Sequence, residues 1–281
     1  MIDIRQTLRY ATYLTSIGWK VERIDGVNYF IKKFPLIGAL LKIQRPEKID
    51  FNTVDKLCRK YRIFQVIIEP KNSIQELKIK KVGYKLSKHP YLPTKTLQID
   101  LTQRQTEVFD NLKKDARASV KRGETNKTKE YSTPSGIRKW QAAWKSSVKF
   151  NRYVPAVDHL VNLRKSFPND HSLFLASHNM SGRIIGGALF TTSSHEKIND
   201  IAYYWYGFTS SEGRSTLSAY SLLWQGILWA KNSGYKIFDF EGIYDERFPE
   251  ESWKGFSHFK RSFGGTEILY PSCYTKLKFP L

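Results

Sequence analysis

Only two of the 281 residues are cysteine, Cys58 and Cys273. They stand far apart, and no metal-ligand spacing surrounds either, which speaks against both a disulfide framework and a zinc site. Long hydrophobic runs are also missing. The longest uncharged stretch, Ser215 to Ala230, is shorter than a membrane span and contains Ser and Gln. The opening residues Met1-Ile2-Asp3-Ile4-Arg5 lack the apolar centre of a signal peptide. No G-x-S-x-G elbow, P-loop or H-E-x-x-H is present, and the six histidines are scattered. Without a nucleophile beside a base, covalent catalysis has no support. No metal and no cofactor are expected. The expectation is a soluble cytoplasmic protein, with peripheral attraction to the inner face of the cell membrane.

Acidic residues are scarce as well. Against 26 Asp and Glu stand 46 Lys and Arg, a net charge of +20. Self-repulsion of that size destabilises a compact chain and points to an anionic partner: nucleic acid, a phosphorylated small molecule or an anionic membrane face. A generic solubility surface is the plainer alternative. What the chain has in quantity is apolar and aromatic residues, 41% and 14%, enough for a substantial core.

In the first half, Ile4, Leu8, Ala11 and Leu14 recur at helical spacing and Gly18 offers a C-terminal cap. Segments 19–24, 27–34 and 39–44 read as strands, with Asp25-Gly26 as a hairpin turn. A helix capped by Asn52 or Thr53 runs to Lys60, and an apolar strand at 63–68 stops before Pro70. A further helix and strand are expected at 74–86 and 97–101. The segment 103–122 reads as one helix, very basic toward its end, and a domain boundary is placed just after it, giving units 1–125 and 126–281. In the second half, helices from Ser135 and after Pro155 precede strands at 172–178, 183–191 and 198–207. A strong helix at 216–232 ends before Gly234, and a strand covers Ile237–Phe240. Both halves thus follow a similar order of elements, which predicts two mixed α/β domains, each a central sheet flanked by helices.

The informative residues lie in the last fifth. A helix ending Trp229-Ala230-Lys231-Asn232-Ser233-Gly234-Tyr235 leads to the strand Phe238-Asp239-Phe240 and Gly242. Behind it come Trp253-Lys254-Gly255-Phe256-Ser257-His258-Phe259-Lys260-Arg261-Ser262-Phe263-Gly264-Gly265. This arrangement resembles the Fem family, whose members transfer an aminoacyl group from aminoacyl-tRNA to the stem peptide of a peptidoglycan precursor. Weaker likeness extends to Arg5-Gln6-Thr7 with Gly18-Trp19, and to Leu112–Gly123, which resembles the basic helix joining the family's two domains. The resemblance implies two GNAT-like acyltransferase domains. The coiled-coil arm of some members is not expected, because 103–134 is too short to hold it.

Carried over residue by residue, the resemblance assigns the active-site Phe-Lys pair to Phe259 and Lys260, and a tyrosine on the preceding helix to Tyr220. It assigns an acidic residue after the first domain's fourth strand to Glu69, where the family has aspartate. The basic residues that grip a nucleotide diphosphate in some members have no clean match. Arg214 is the substitute, with Trp253 and Arg261 as further substrate contacts. The chemistry is self-consistent. An amine attacks an ester that is already activated, so alignment and oxyanion stabilisation suffice. Lys260 would supply positive charge, while Glu69 or Asp239 would hold the acceptor ammonium or take its proton. Lys113, Lys114, Arg117, Lys121 and Arg122 would track tRNA phosphates.

Plainer readings stand beside each role: a surface lysine at 260, core packing for Tyr220 and Trp253, an Asp239–Arg261 pair, a solvated strand end at Glu69, a solvated basic helix. Among Tyr203, Tyr204, Trp205 and Tyr206, strand alternation sends half into the core. The partners implied are aminoacyl-tRNA and a lipid- or UDP-linked peptidoglycan precursor, in cell-wall biogenesis. Two other classes compete. One is a GNAT-like N-acyltransferase fed by an acyl-CoA or carrier thioester, which needs backbone donors at a helix N-terminus such as that after Ser210–Ser215. The other is a non-catalytic nucleic-acid-binding protein.

Overall fold

A computed structural model describes residues 1–148, 152–195 and 198–278. Two compact units emerge: Met1–Lys95 with Tyr244–Glu251 and Ile268–Leu281, and Thr96–Ile243 with Ser252–Glu267.

The first unit contains α1 (Leu8–Ser16), β1 (Lys20–Ile24), β2 (Val27–Phe34), β3 (Gly38–Gln44), α2 (Phe51–Tyr61), β4 (Ile63–Glu69), α3 (Ser73–Lys81) and β5 (Lys85–Leu86). Asp25 and Gly26 both adopt positive φ, 48° and 80°. That is the geometry a two-residue hairpin needs to match the strand twist, and it joins β1 to β2 as expected. The α2 cap is Asp50, whose carboxylate accepts from the Asn52 amide, slightly earlier than the sequence suggests. The sheet runs β1-β2-β3-β4, with β3 and β4 parallel, and is then completed by the chain's last strand, Tyr274–Leu277, which lies antiparallel between β4 and β5. Ile31, Leu41, Ile43, Val66, Ile68 and Tyr274 share one core with Val54 and Leu57 of α2.

The second unit contains β6 (Lys95–Asp100), α4 (Gln105–Asp110), α5 (Lys114–Gly123), β7 (Lys127–Glu130), α6 (Pro134–Ser147), α7 (Val157–Ser166), β8 (Ser172–His178), β9 (Ile184–His195), β10 (Ile198–Thr209), α8 (Ser211–Ser215), α9 (Ser218–Asn232), β11 (Ile237–Gly242), α10 (Trp253–Arg261) and β12 (Thr266–Leu269); the last strand of the chain, Tyr274–Leu277, is β13. The sheet order is β12-β6-β11-β10-β9-β8-β7. Strands β10 and β11 are parallel, and α9 makes the crossover between them. Leu222, Leu223, Trp224, Ile227 and Ala230 of α9 are buried against the sheet. Each large side chain there contributes about 1.5–3 kcal/mol relative to exposure. Gly226 permits this packing, since a Cβ would stand 2.1 Å from the Phe190 ring.

Three expectations change. The boundary falls between Lys95 and Thr96 instead of near 125, because Leu97, Ile99, Leu101, Val108, Leu112, Ala116 and Val120 belong to the same core as Phe190, Phe238 and Phe240. The single helix at 103–122 is two helices. The Arg117 guanidinium donates to the carbonyls of Asp110 (2.5 Å) and Leu112 (2.7 Å), satisfying the backbone at the break. Thr133, with Pro134 at the first helical position, caps α6 in place of Ser135. The stretch 103–134 holds α4, α5 and β7, with no coiled-coil arm among the described residues.

Candidate active site

The site is built on a bulge in β11. Pairing with β6 runs in register from Ile237 to Asp239, opposite Asp100 to Gln98, and then jumps so that Gly242 faces Thr96. One extra residue is accommodated, and Glu241 takes φ +58°. Asp239 holds this kink: its carboxylate accepts from the Glu241 amide (2.7 Å), the Thr96 hydroxyl (2.5 Å) and the Gln98 amide nitrogen (2.7 Å). Burial, with the nearby Glu241 carboxylate adding to it, pushes Asp239 up to about 6.

The bulge turns two carbonyls toward α10. The Lys260 ammonium donates to Phe240 O and to Gly242 O, both at 2.7 Å. Lys260 is only 9% exposed. Its charge also stands over the Phe256 ring at 4.9 Å and the Tyr204 ring at 5.6 Å. Burial pulls its pKa down to about 8, while the carboxylates of Glu241 and Asp239 oppose that fall. At neutral pH it remains mostly protonated, with two of its three N–H donors spent on carbonyls.

The Phe259-Lys260 segment is helical, which the sequence did not suggest. Phe256, Phe259 and Lys260 follow helical spacing and share one face of α10, and Phe263 lies just past its end. That face meets Tyr220 on α9, edge-on to Phe259 at 4.9 Å and stacked on Phe263 at 5.8 Å. Beside these rings lies a cavity of about 390 Å³, of a size suited to a small-molecule group. Its lining includes Tyr204, Arg214, Leu217, Tyr220, Phe256 and Phe259.

Tyr220, Phe259 and Arg214 therefore line one cavity, and Lys260, which does not line it, stands behind the Phe256 ring that does. Arg214 is exposed, and its guanidinium donates to Thr209 O and Ser211 Oγ, both at 3.0 Å. Asp239 does not line the cavity; it positions the carbonyls that hold Lys260. Trp253 starts α10 and packs on Phe256 at 5.3 Å, and Arg261 pairs with Glu267 (2.6 Å) instead of Asp239. On α5 and at its start, Lys113, Lys114, Lys121 and Arg122 are exposed, whereas Arg117 is half-buried by its backbone contacts.

Glu69 belongs to the first unit and is buried, not a solvated strand end. Its carboxylate accepts from Gln44 (2.6 Å) and from the amides of Tyr91 (3.1 Å) and Leu92 (2.5 Å). Burial raises its pKa against the pull of those bonds.

Sequence reasoning missed Phe256 and the particular role of Tyr204. A second bulge, between Tyr204 and Tyr206, breaks the alternation expected of the aromatic run. Tyr203 is buried, while Tyr204, Trp205 and Tyr206 are all half-buried. The signal was Gly207, where a Cβ would stand 1.8 Å from the Tyr204 hydroxyl.

No family model matches the sequence, and no curated protein matches it. Among solved structures, FemX superposes with a TM-score of 0.80 at 14% identity, over 98% of this chain and 92% of that one. The chain has the FemX fold. L-PGS from Bacillus licheniformis follows with a TM-score of 0.60 at 13% identity, over 95% and 86% of the two chains. A tandem GNAT protein from the clavulanic acid biosynthesis pathway gives 0.53 at 8% identity, over 92% and 83%. The FemX-like architecture is thus two GNAT-like domains in tandem, as the Fem resemblance implies, each a mixed sheet flanked by helices. Among the described residues no helix is long and apolar enough to cross a membrane.

Proposed function

We propose that this protein is an aminoacyltransferase that moves an amino acid from aminoacyl-tRNA to the amine of a peptidoglycan precursor's stem peptide. The observation that carries the reading is the buried Lys260 ammonium, fixed by two carbonyls beside a cavity walled by Tyr220, Phe256 and Phe259. The acceptor nitrogen attacks the ester carbonyl carbon, the bond to the ribose oxygen breaks, and the amine's proton leaves with the freed tRNA hydroxyl. Negative charge develops on the carbonyl oxygen, and the third Lys260 N–H is the donor that would meet it. A preorganised donor of this kind contributes roughly 10²–10³ in kcat. The ester is already activated, so the reaction calls for no cofactor. The exposed cations of α5 supply charge for tRNA phosphates. Glu69 remains the candidate for handling the acceptor's ammonium proton. Its role is separable, because Glu69→Gln can keep the bonds from the Tyr91 and Leu92 amides on its oxygen while removing the base, at the cost of the Gln44 bond.

A second reading, transfer from an acyl thioester, draws on one observation. Gly213, Arg214 and Leu217 line the cavity at the start of α9, the place where a thioester's pyrophosphate would be held. One experiment separates the two: labelled aminoacyl-tRNA and labelled acyl-CoA are supplied in parallel with lipid-linked and UDP-linked precursors. Label passing from tRNA to an acceptor amine supports the first reading; transfer from acyl-CoA alone replaces it with the second.

A further inference from the structure

The β2–β3 hairpin of the first unit ends in four consecutive apolar residues, Phe34-Pro35-Leu36-Ile37. Turns usually carry Gly, Asn, Asp or Ser, whose polarity and conformational range suit an exposed bend. Here Leu36 is fully exposed at 104% and Ile37 is 63% exposed. Leu36 also holds φ +67°, a region disfavoured for leucine and tolerated by asparagine. Folding physics therefore offers no reason for leucine at this tip.

Against the tip lies a surface cavity of about 550 Å³, lined by Lys33, Phe34, Leu36, Lys60, Tyr61 and Arg62. Lys33 and Lys60 both stand over the Tyr61 ring, at 5.6 and 5.0 Å. Lys60 is also paired with Glu22 at 3.1 Å. Arg62 closes α2 in the left-handed conformation and is exposed at the end of the groove. An apolar point is thus set in a rim of three cations.

We propose that this hairpin docks the protein on an anionic lipid bilayer. Leu36 and Ile37 enter the headgroup–acyl boundary, and Lys33, Lys60 and Arg62 meet lipid phosphates. Nucleic acid would satisfy the cations and leave the leucine and isoleucine without an apolar partner. A second copy of the chain would bring another surface of a +20 protein against this one. Four residues at a turn also cover far less than the roughly 800 Å² per partner of a stable protein interface. The inference rests on this surface alone and not on the transfer reaction, so its failure would leave that reaction untouched.

The test is co-sedimentation of the full chain with phosphatidylcholine vesicles, with and without phosphatidylglycerol, at low and high salt. The expected result is binding to the anionic vesicles only, weakened by salt. The double variant Leu36→Asn, Ile37→Asn should bind about tenfold more weakly or worse, because both apolar anchors are gone. Leu36→Asn alone should keep or raise the melting temperature while losing affinity, which a structural role for leucine would not produce. Lys33→Gln with Arg62→Gln should weaken binding severalfold at low salt. Equal binding to neutral vesicles, no binding at low salt, or full binding by the double variant would each overturn the proposal. So would a wild-type dimer in sedimentation that Leu36→Asn converts to monomer, since a second copy would then be the occupant.

Discussion

The two units share an architecture and both bury charged side chains, yet they settle that charge in different ways. In the first unit Asp3 is shared between Arg5 and Arg45 at 3.2 Å each, all three nearly inaccessible, and Arg45 also donates to Pro93 O (2.5 Å) and covers the Tyr270 ring. The arginines hold Asp3 below the usual carboxylate range despite its burial. In the second unit the Lys260 ammonium is held by two neutral carbonyls and aromatic faces. A charge with an opposite partner is a structural joint. A charge held by dipoles keeps more of its field for whatever arrives beside it.

The strongest test of this contrast is Arg45→Met, which leaves Asp3 with Arg5 as its one remaining arginine and frees Pro93 O. It should cost about 1–3 kcal/mol in denaturant unfolding. A loss below about 1 kcal/mol would mean that the Asp3–Arg45 pair is no structural joint. The corresponding change in the second unit, Lys260→Met, should do the reverse. Stability should change little, because removing an unfavourably buried charge is offset by leaving the Phe240 and Gly242 carbonyls without their donor, while aminoacyl transfer falls roughly 10²–10³ in kcat. An unaltered rate would remove Lys260 from the chemistry.

pH sharpens the same comparison. The folded-state pKa of Lys260, about 8, lies below its ordinary value of 10.5. Between those values the unfolded chain binds the extra proton, so stability gained from this group increases as pH rises. The stability of Lys260→Met relative to the wild type should therefore be most favourable below pH 8 and fall above it. The wild-type transfer rate should decline as pH passes about 8. A flat rate profile through that range would break the link between the charged lysine and turnover.

Smaller effects probe the surroundings. Gly207→Ala places a Cβ against the Tyr204 hydroxyl and should cost about 1–3 kcal/mol, with a lower kcat/KM from the displaced ring. Replacing Lys113 and Lys121 together by Gln should reduce the salt slope of tRNA affinity by about 1 for each phosphate that is no longer neutralised. An unchanged slope would move the tRNA surface away from α5.

Much of this was legible because it is local. Asp25-Gly26 specifies its turn by backbone sterics, Gly234 ends α9 with φ +81°, and the apolar run after Arg62 becomes β4. The Fem resemblance singled out Lys260, Phe259 and Tyr220, and the rings of Tyr220 and Phe259 do meet. The helical form of residues 253–261 was obscured by its Gly255 and aromatic crowding, although Phe256, Phe259, Lys260 and Phe263 carry the helical period. The domain boundary was misplaced because a basic, polar stretch looks like a linker, whereas Ala116 and Val120 on its inner face are wholly buried.

By itself the sequence determined the charge and most elements up to β11, while the candidates for a catalytic role near the C-terminus came from the Fem resemblance. The charge and those elements follow from composition, periodicity and turn chemistry, all short-range. Only the tertiary structure decided that β13, from the chain's end, completes the first sheet between β4 and β5. It alone showed that Asp239 spends its oxygens on a bulge, and that this bulge turns two carbonyls onto Lys260. Bulges and burial depend on which distant segments pack together, and that is what shifts the pKa of a lysine that looks ordinary in the chain.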